Sequence, residues 1–271
     1  MAENDRIYDV VFGLGEACSC SDALRKADLQ IVSYPMDWIF GASFTDRVQI
    51  VASGFKDFFE AKDLVCKGPN GKTDIYANEL NGLVFNHDFP MNVPLEKAYP
   101  SVREKYDRRI NRLLSNIRGA KRALAVYIET PNCPQKLTDV QVLKDGHKTL
   151  SEAFPNTVID LLYLSNNPDI PFENREYVHI TPFITKINVH YKSLSAKEPD
   201  YAVNKAVLQK IFKQININRS AKDRRRVHLT NVATKLVQLI SNAIFWDKKL
   251  RQTKRKLWTQ KVRNFIWKRS A

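Results

Sequence analysis

The sequence predicts an α/β fold: a parallel or mixed central sheet flanked by helices, with a basic helical C-terminal extension. Three observations carry this. Apolar runs at residues 10–12, 122–128 and 157–164 read as buried strands. Amphipathic segments with a 3.6-residue period alternate with them. The last 26 residues contain ten basic residues and one acid, Asp247. The expected division is a core over 1–225 and a basic amphipathic extension over 226–271.

The first element is the most informative. Val10, Val11 and Phe12 form a buried strand, and Gly13 and Gly15 then permit a tight turn. Residues 18–26 read as a helix beginning at Cys18. Backbone N–H groups converge at such a helix start, which favours an anion; they would lower a thiol pKa and hold an oxyanion. Three readings stay open at this point. Cys18 is a small buried hydrophobe, or the turn at 13–18 binds a phosphate or nucleotide, or Cys18 is a nucleophile. The second has two of the three glycines of a dinucleotide fingerprint and Asp37 about 20 residues on, but Pro35 interrupts the strand between.

Along the chain, residues 29–34 read as a short strand entering a fixed turn at Pro35. Ser43 and Asp46 form a capping box for a helix over 43–51 with Phe44, Val48 and Val51 on one face. Residues 57–67 read as helix, 68–72 as a turn, and 75–76 and 83–85 as strands, the second delivering His87 and Asp88. A long helix runs from about 99 or 101 to 117, with its arginines 108, 109, 112 and 118 on a solvated face. Strand 122–128, helix 139–154 and strand 157–164 form a parallel βαβ unit. Short strands at 177–182 and 187–191 and a helix from 199 or 200 to 215 follow. Val232, Leu236, Leu239, Ile240 and Ile244 form an apolar stripe expected to dock on the core.

A hydrophobic content of 44% supports a sizeable core. The cysteines at 18, 20, 66 and 133 are too few for a disulfide scaffold, and no run of about 20 apolar residues is present. The expectation is a reduced, cytoplasmic protein. The net charge of +14 is concentrated in the extension, which argues against nucleic-acid binding by the core. No metal or other cofactor is implied: Cys18-x-Cys20 has no second ligand pair at zinc spacing.

Leu14-Gly15-Glu16-Ala17-Cys18, Leu24-Arg25, Ser33-Tyr34-Pro35-Met36-Asp37-Trp38, Phe85-Asn86-His87-Asp88-Phe89 and Tyr106-Asp107-Arg108-Arg109 follow one another in a recognisable order. Over roughly residues 7–165 the chain resembles a bacterial family of unknown function described as papain-like cysteine peptidases. Met36 departs from the family's usual Phe. The resemblance implies a cysteine-dependent hydrolase or acyltransferase with Cys18 as nucleophile. His87 is the expected base, because it follows a strand and falls in the family-like segment. Asp37 and Asp88 are ranked together as the carboxylate that orients the imidazole, with Glu129 as a further candidate. Gly13 and Gly15 would shape the oxyanion or phosphate turn. The competing function is a nucleotide-sugar or phosphate-binding protein or transferase in cell-surface polysaccharide assembly.

The extension adds one expectation of its own. Leu250, Leu257, Trp258, Val262, Phe265 and Ile266 recur at helical spacing among lysines and arginines, a pattern that can lie on an anionic membrane surface. The competing expectation is a terminal helix packed on the same domain.

Overall fold

The computed structural model describes residues 6–130, 139–171, 174–190, 201–244 and 247–268. It consists of two compact units, Met1–Ile217 and Asn218–Ala271. Unit 1 starts with β1 (Ile7–Tyr8), β2 (Val10–Gly13), α1 (Cys18–Lys26), β3 (Ile39–Gly41) and α2 (Phe44–Ala52). It continues through β4 (Leu64–Asn70), β5 (Thr73–Asn78), β6 (Leu83–Pro90), α3 (Leu95–Arg118) and β7 (Arg122–Ile128). It ends with α4 (Val140–Ala153), β8 (Val158–Asn166), β9 (Arg175–Thr181), β10 (Ile184–Val189), α5 (Tyr201–Phe212) and β11 (Asn216–Ile217). Unit 2 is α6 (Ala221–Ile244) and α7 (Lys248–Lys268).

The central sheet has the order β2-β7-β8-β10-β9. β2, β7, β8 and β10 are mutually parallel, and β9 pairs antiparallel at the edge. The predicted βαβ unit is β7-α4-β8. Its strands are apolar throughout because both faces are covered. Ala123, Ala125 and Tyr127 join one core with Phe12, Leu161 and residues of α2, α3 and α4. Leu124, Val126 and Ile128 join the other, with Leu24 of α1 and Leu208 of α5. The alternation follows from the two-residue period of a strand.

A second sheet, β3-β6-β5-β4, is antiparallel throughout. Its core is aromatic: Phe59 lies 4.8 Å from both Phe85 and Tyr106 and stacks on Tyr99 at 5.4 Å. This cluster corrects the helix expected over 57–67. Gly54, Phe55 and Asp57 all have positive φ, which breaks any helix, and Leu64 and Val65 pair with β5. The strand expected over 29–34 is likewise irregular chain. The turn expected over 68–72 is narrower, since β4 runs to Asn70. The long helix starts earlier than expected, at Leu95, with Pro94 as its N-cap and Pro100 inside it.

Residues 191–200, where the ends of the later strand and the start of the fifth helix were expected, lie outside the described residues. In unit 2, Ser220 and Asp223 cap α6, and the Asp247 carboxylate accepts the Leu250 N–H at 2.6 Å at the start of α7. The α6 stripe residues Val232, Leu236, Leu239, Ile240 and Ile244 are 42% to 64% exposed. Phe245 and Trp246 lie outside the described residues. Among the described residues no helix is long and apolar enough to cross a membrane.

α4 reaches α2 through Gly146. A Cβ there would lie 2.6 Å from Phe44 Cε1. The Phe44 ring is held edge-on against Tyr127 and Tyr163, which stack on each other at 5.2 Å, so it has little room to yield. Gly to Ala inside a helix normally stabilises by about 1 kcal/mol. Gly146→Ala is expected to reverse that sign and destabilise by about 1–3 kcal/mol through overpacking, read from the urea midpoint.

Candidate functional site

The site is built where β2, β7 and β8 end. In parallel sheets the crevice beyond the strand C-termini is the usual place for ligands and chemistry. β2 leaves the sheet at Gly13, and the chain turns within four residues into α1. The turn is that tight because Gly15 touches α1: a Cβ on Gly15 would sit 2.3 Å from Cys20 Cβ, and one on Gly13 would sit 3.2 Å from Cys20 Sγ. The two glycines therefore have a packing role. Cys20 is buried and its thiol is pushed up to about 12 by loss of solvent.

Arg47 secures the turn. It is fully buried on α2, and it donates to Leu14 O (3.0 Å), Glu16 O (3.1 Å), Ile39 O (3.2 Å) and Gly41 O (2.9 Å). Burial lowers its pKa to about 10, which leaves it charged at neutral pH. The Glu16 carboxylate accepts from the Thr130 N–H and hydroxyl at 2.9 and 3.0 Å, joining the turn to the end of β7. The preceding residue, Glu129, is fully buried and accepts from Tyr163, Ser165 and the Asn166 N–H. That places it in the sheet's own polar frame. Arg47 was missed in the sequence although a signal was present: it lies three residues from Phe44 and four from Val51, on the apolar face of its helix.

Cys18 is the first residue of α1 and is partly exposed. Ala17 at the N-cap provides no side-chain cap, and the first turn has no acid. The backbone N–H groups of Cys18 and Ser19 favour the charged form of the Cys18 sulfur. The expected lowering of the thiol pKa is nonetheless corrected. Burial raises it, Asp22 adds to the rise, and the two N–H groups only moderate it.

Asp37 is fully buried in the 3-10 turn Pro35–Trp38. It accepts from Gln30 Nε2 (2.6 Å), Tyr34 N (2.8 Å) and Arg25 Nη2 (3.1 Å). Arg25 also lies over the Trp38 ring at 5.6 Å. This turn packs against both α1 and β6, so three of the sequence segments singled out above meet around it. His87 is exposed within β6, with its ring 6.4 Å from that of Phe40. Asp88 accepts from Lys105 and, at 2.8 Å, from the Tyr106 hydroxyl. Neither Asp37 nor Asp88 hydrogen-bonds to His87, and no hydrogen bond joins His87 to Cys18.

Two measurements probe this arrangement. Arg47→Met is expected to take a donor from four main-chain carbonyls, two of them in fully buried bonds, and to destabilise the chain by about 3 kcal/mol or more in urea unfolding. In a pH series of iodoacetamide labelling, Cys18 is expected to react with a midpoint above that of an ordinary thiol, and Asp22→Asn to lower that midpoint. Buried Cys20 should label only after denaturation. A Cys18 midpoint below the ordinary value would contradict the electrostatics described here.

Comparison with known proteins agrees with the segment order. A family model described as "Putative papain-like cysteine peptidase (DUF1796)" matches residues 9–162, from the residue before β2 to within β8. The chain is 28% identical over 183 residues to "Uncharacterized protein R408" of Acanthamoeba polyphaga mimivirus, covering 61% of this chain and 79% of that protein. That relative is viral, so the comparison gives no support to a specifically bacterial origin. No solved structure matches. With more than half of its length, Cys18, Asp37 and His87 included, inside the family model, the chain belongs to the family DUF1796 that this description names.

Proposed function

We propose that the protein is a cysteine-dependent hydrolase or acyltransferase with Cys18 as its nucleophile. The observation that carries this reading is the position of Cys18: partly exposed, first in α1, just beyond the C-terminal end of β2, where the backbone N–H groups of Cys18 and Ser19 favour a charged sulfur. Those N–H groups and the helix dipole suit the thiolate and, after attack, the oxyanion of a tetrahedral intermediate. Family membership supports the same assignment.

The raised thiol pKa makes the resting sulfur a thiol, so a base must remove its proton as substrate arrives. We assign that role to His87. In the resting structure it is not bonded to the sulfur; catalytic hydrogen bonds often tighten only once substrate is bound. In the reaction, Sγ attacks the substrate carbonyl carbon as its proton passes to His87. The bond to the leaving group then breaks and His87 protonates that group. Water, or an acceptor amine or alcohol, releases the acyl group from sulfur. Asp37 acts in this scheme as a positioning residue: it fixes the turn that carries Trp38 between α1 and β6.

para-Nitrophenyl acetate tests the assignment. The expected result is an early burst of nitrophenolate with an acetyl group mapped to Cys18 by peptide mass. Cys18→Ser should abolish the burst, and His87→Ala should slow it by about 10²–10⁴-fold. Acetylation of Cys66 at the same rate as Cys18, or an unchanged burst in His87→Ala, would overturn the assignment of nucleophile or base respectively.

A further inference from the structure

Unit 2 separates its charge from the rest of the chain. Asn218–Ala271 contains 16 lysines and arginines and two acids, Asp223 and Asp247. That segment accounts for the whole net charge of +14, and the remaining residues balance. Its two helices also expose large apolar side chains. On α6, Leu229, Val232, Leu236, Leu239, Ile240 and Ile244 fall within an arc of about 140° at 3.6 residues per turn. All six are at least 42% exposed. Val237 and Ser241, about a third of a turn away from the stripe's centre, are buried, and the Ser241 hydroxyl accepts from Arg255 of α7 at 3.0 Å. On α7, exposed Leu250, Leu257 and Phe265 share one face with Lys254 and Lys261. Near the start of α6 a cleft of about 530 Å³ has an apolar lining of Leu229, Phe265 and Ile266, with Lys222, Arg225 and Arg226 beside it.

We propose that this hairpin seats the protein on an anionic phospholipid surface. Headgroup phosphates meet exposed Lys222 and Arg225, and the neighbouring apolar cleft takes the upper part of an acyl chain. Nucleic acid would answer the charge and leave the α6 stripe in water, because phosphate contacts are made by basic and polar groups. An apolar protein partner would answer the stripe and leave the charge unexplained. A bilayer interface answers both, with apolar side chains at the acyl boundary and basic ones among the headgroups. The helices lie on such a surface and do not cross it, since neither is long and apolar enough to span.

The test is co-sedimentation of the full chain with vesicles of phosphatidylcholine alone and of phosphatidylcholine with phosphatidylserine. Binding is expected only to the second, falling about tenfold or more in 0.5 M NaCl as the headgroup attraction is screened. Leu236→Glu/Ile240→Glu, two exposed positions, should lose binding about tenfold or more while keeping its circular dichroism and its Cys18 labelling. Equal vesicle binding by the double variant and the parent would overturn the proposal. So would vesicle-independent binding to duplex DNA that the double variant retains. A parent dimer in sedimentation velocity that the double variant dissolves, with no vesicle binding, would assign the stripe to a second copy of the chain. The Cys18 assignment does not depend on any of these outcomes.

Discussion

A single buried cation organises the turn that carries Cys18. Among the described residues Arg47 has no ion-pair partner in the core, although the Glu16 carboxylate favours its charge from a distance. Its guanidinium is instead solvated by four main-chain carbonyls drawn from the β2–α1 turn and from β3. Burying a charge is costly unless every donor is met, and the planar fork of arginine meets several acceptors at fixed angles. Lysine offers no such fork. The turn, β3 and α2 are therefore placed together: each carbonyl is useful to Arg47 only when the others are also in position. Gly15 then lets α1 close onto that turn, and the position of Cys18 follows.

Two opposing influences act on the Cys18 thiol. The helix end offers N–H donors to a thiolate, while partial burial and Asp22 resist the charge. Burial prevails. An anionic intermediate at the same place would gain from the same donors. The polar groups around the site show how the chain spends its buried charges elsewhere: Asp37 on Gln30, Arg25 and a main-chain N–H, Glu129 on strand-end donors, Asp88 on Lys105 and Tyr106.

Much of the sheet could be read from the sequence because burial on both faces writes itself as unbroken apolar runs. β2, β7 and β8 were plain for that reason. α2 was plain because Ser43 and Asp46 form a capping box that the structure contains. The segment at 57–67 misled because Phe58, Phe59, Leu64 and Val65 have near-helical spacing. Their apolarity belongs to an aromatic cluster and to β4, and the break lies in backbone angles that composition only hints at. At the site, Cys18's place on a helix start was legible, since a strand, two glycines and helix formers stand in order. The sign of its pKa shift was not, because burial depends on the whole fold. The partners of Asp37 were equally hidden: Gln30 and Arg25 reach it only because the intervening chain is irregular instead of a strand.

The placement of tryptophans has an optical consequence. Of the four, Trp246, Trp258 and Trp267 belong to unit 2, and unit 1 has Trp38 alone. That one indole lies under the Arg25 guanidinium, in the turn that packs against α1 and β6. Replacing the other three with phenylalanine would leave a chain whose long-wavelength emission reports from a single point beside Arg25. Withdrawal of Arg25 or loosening of Asp37 would each register there as a change in colour or lifetime, without any label attached.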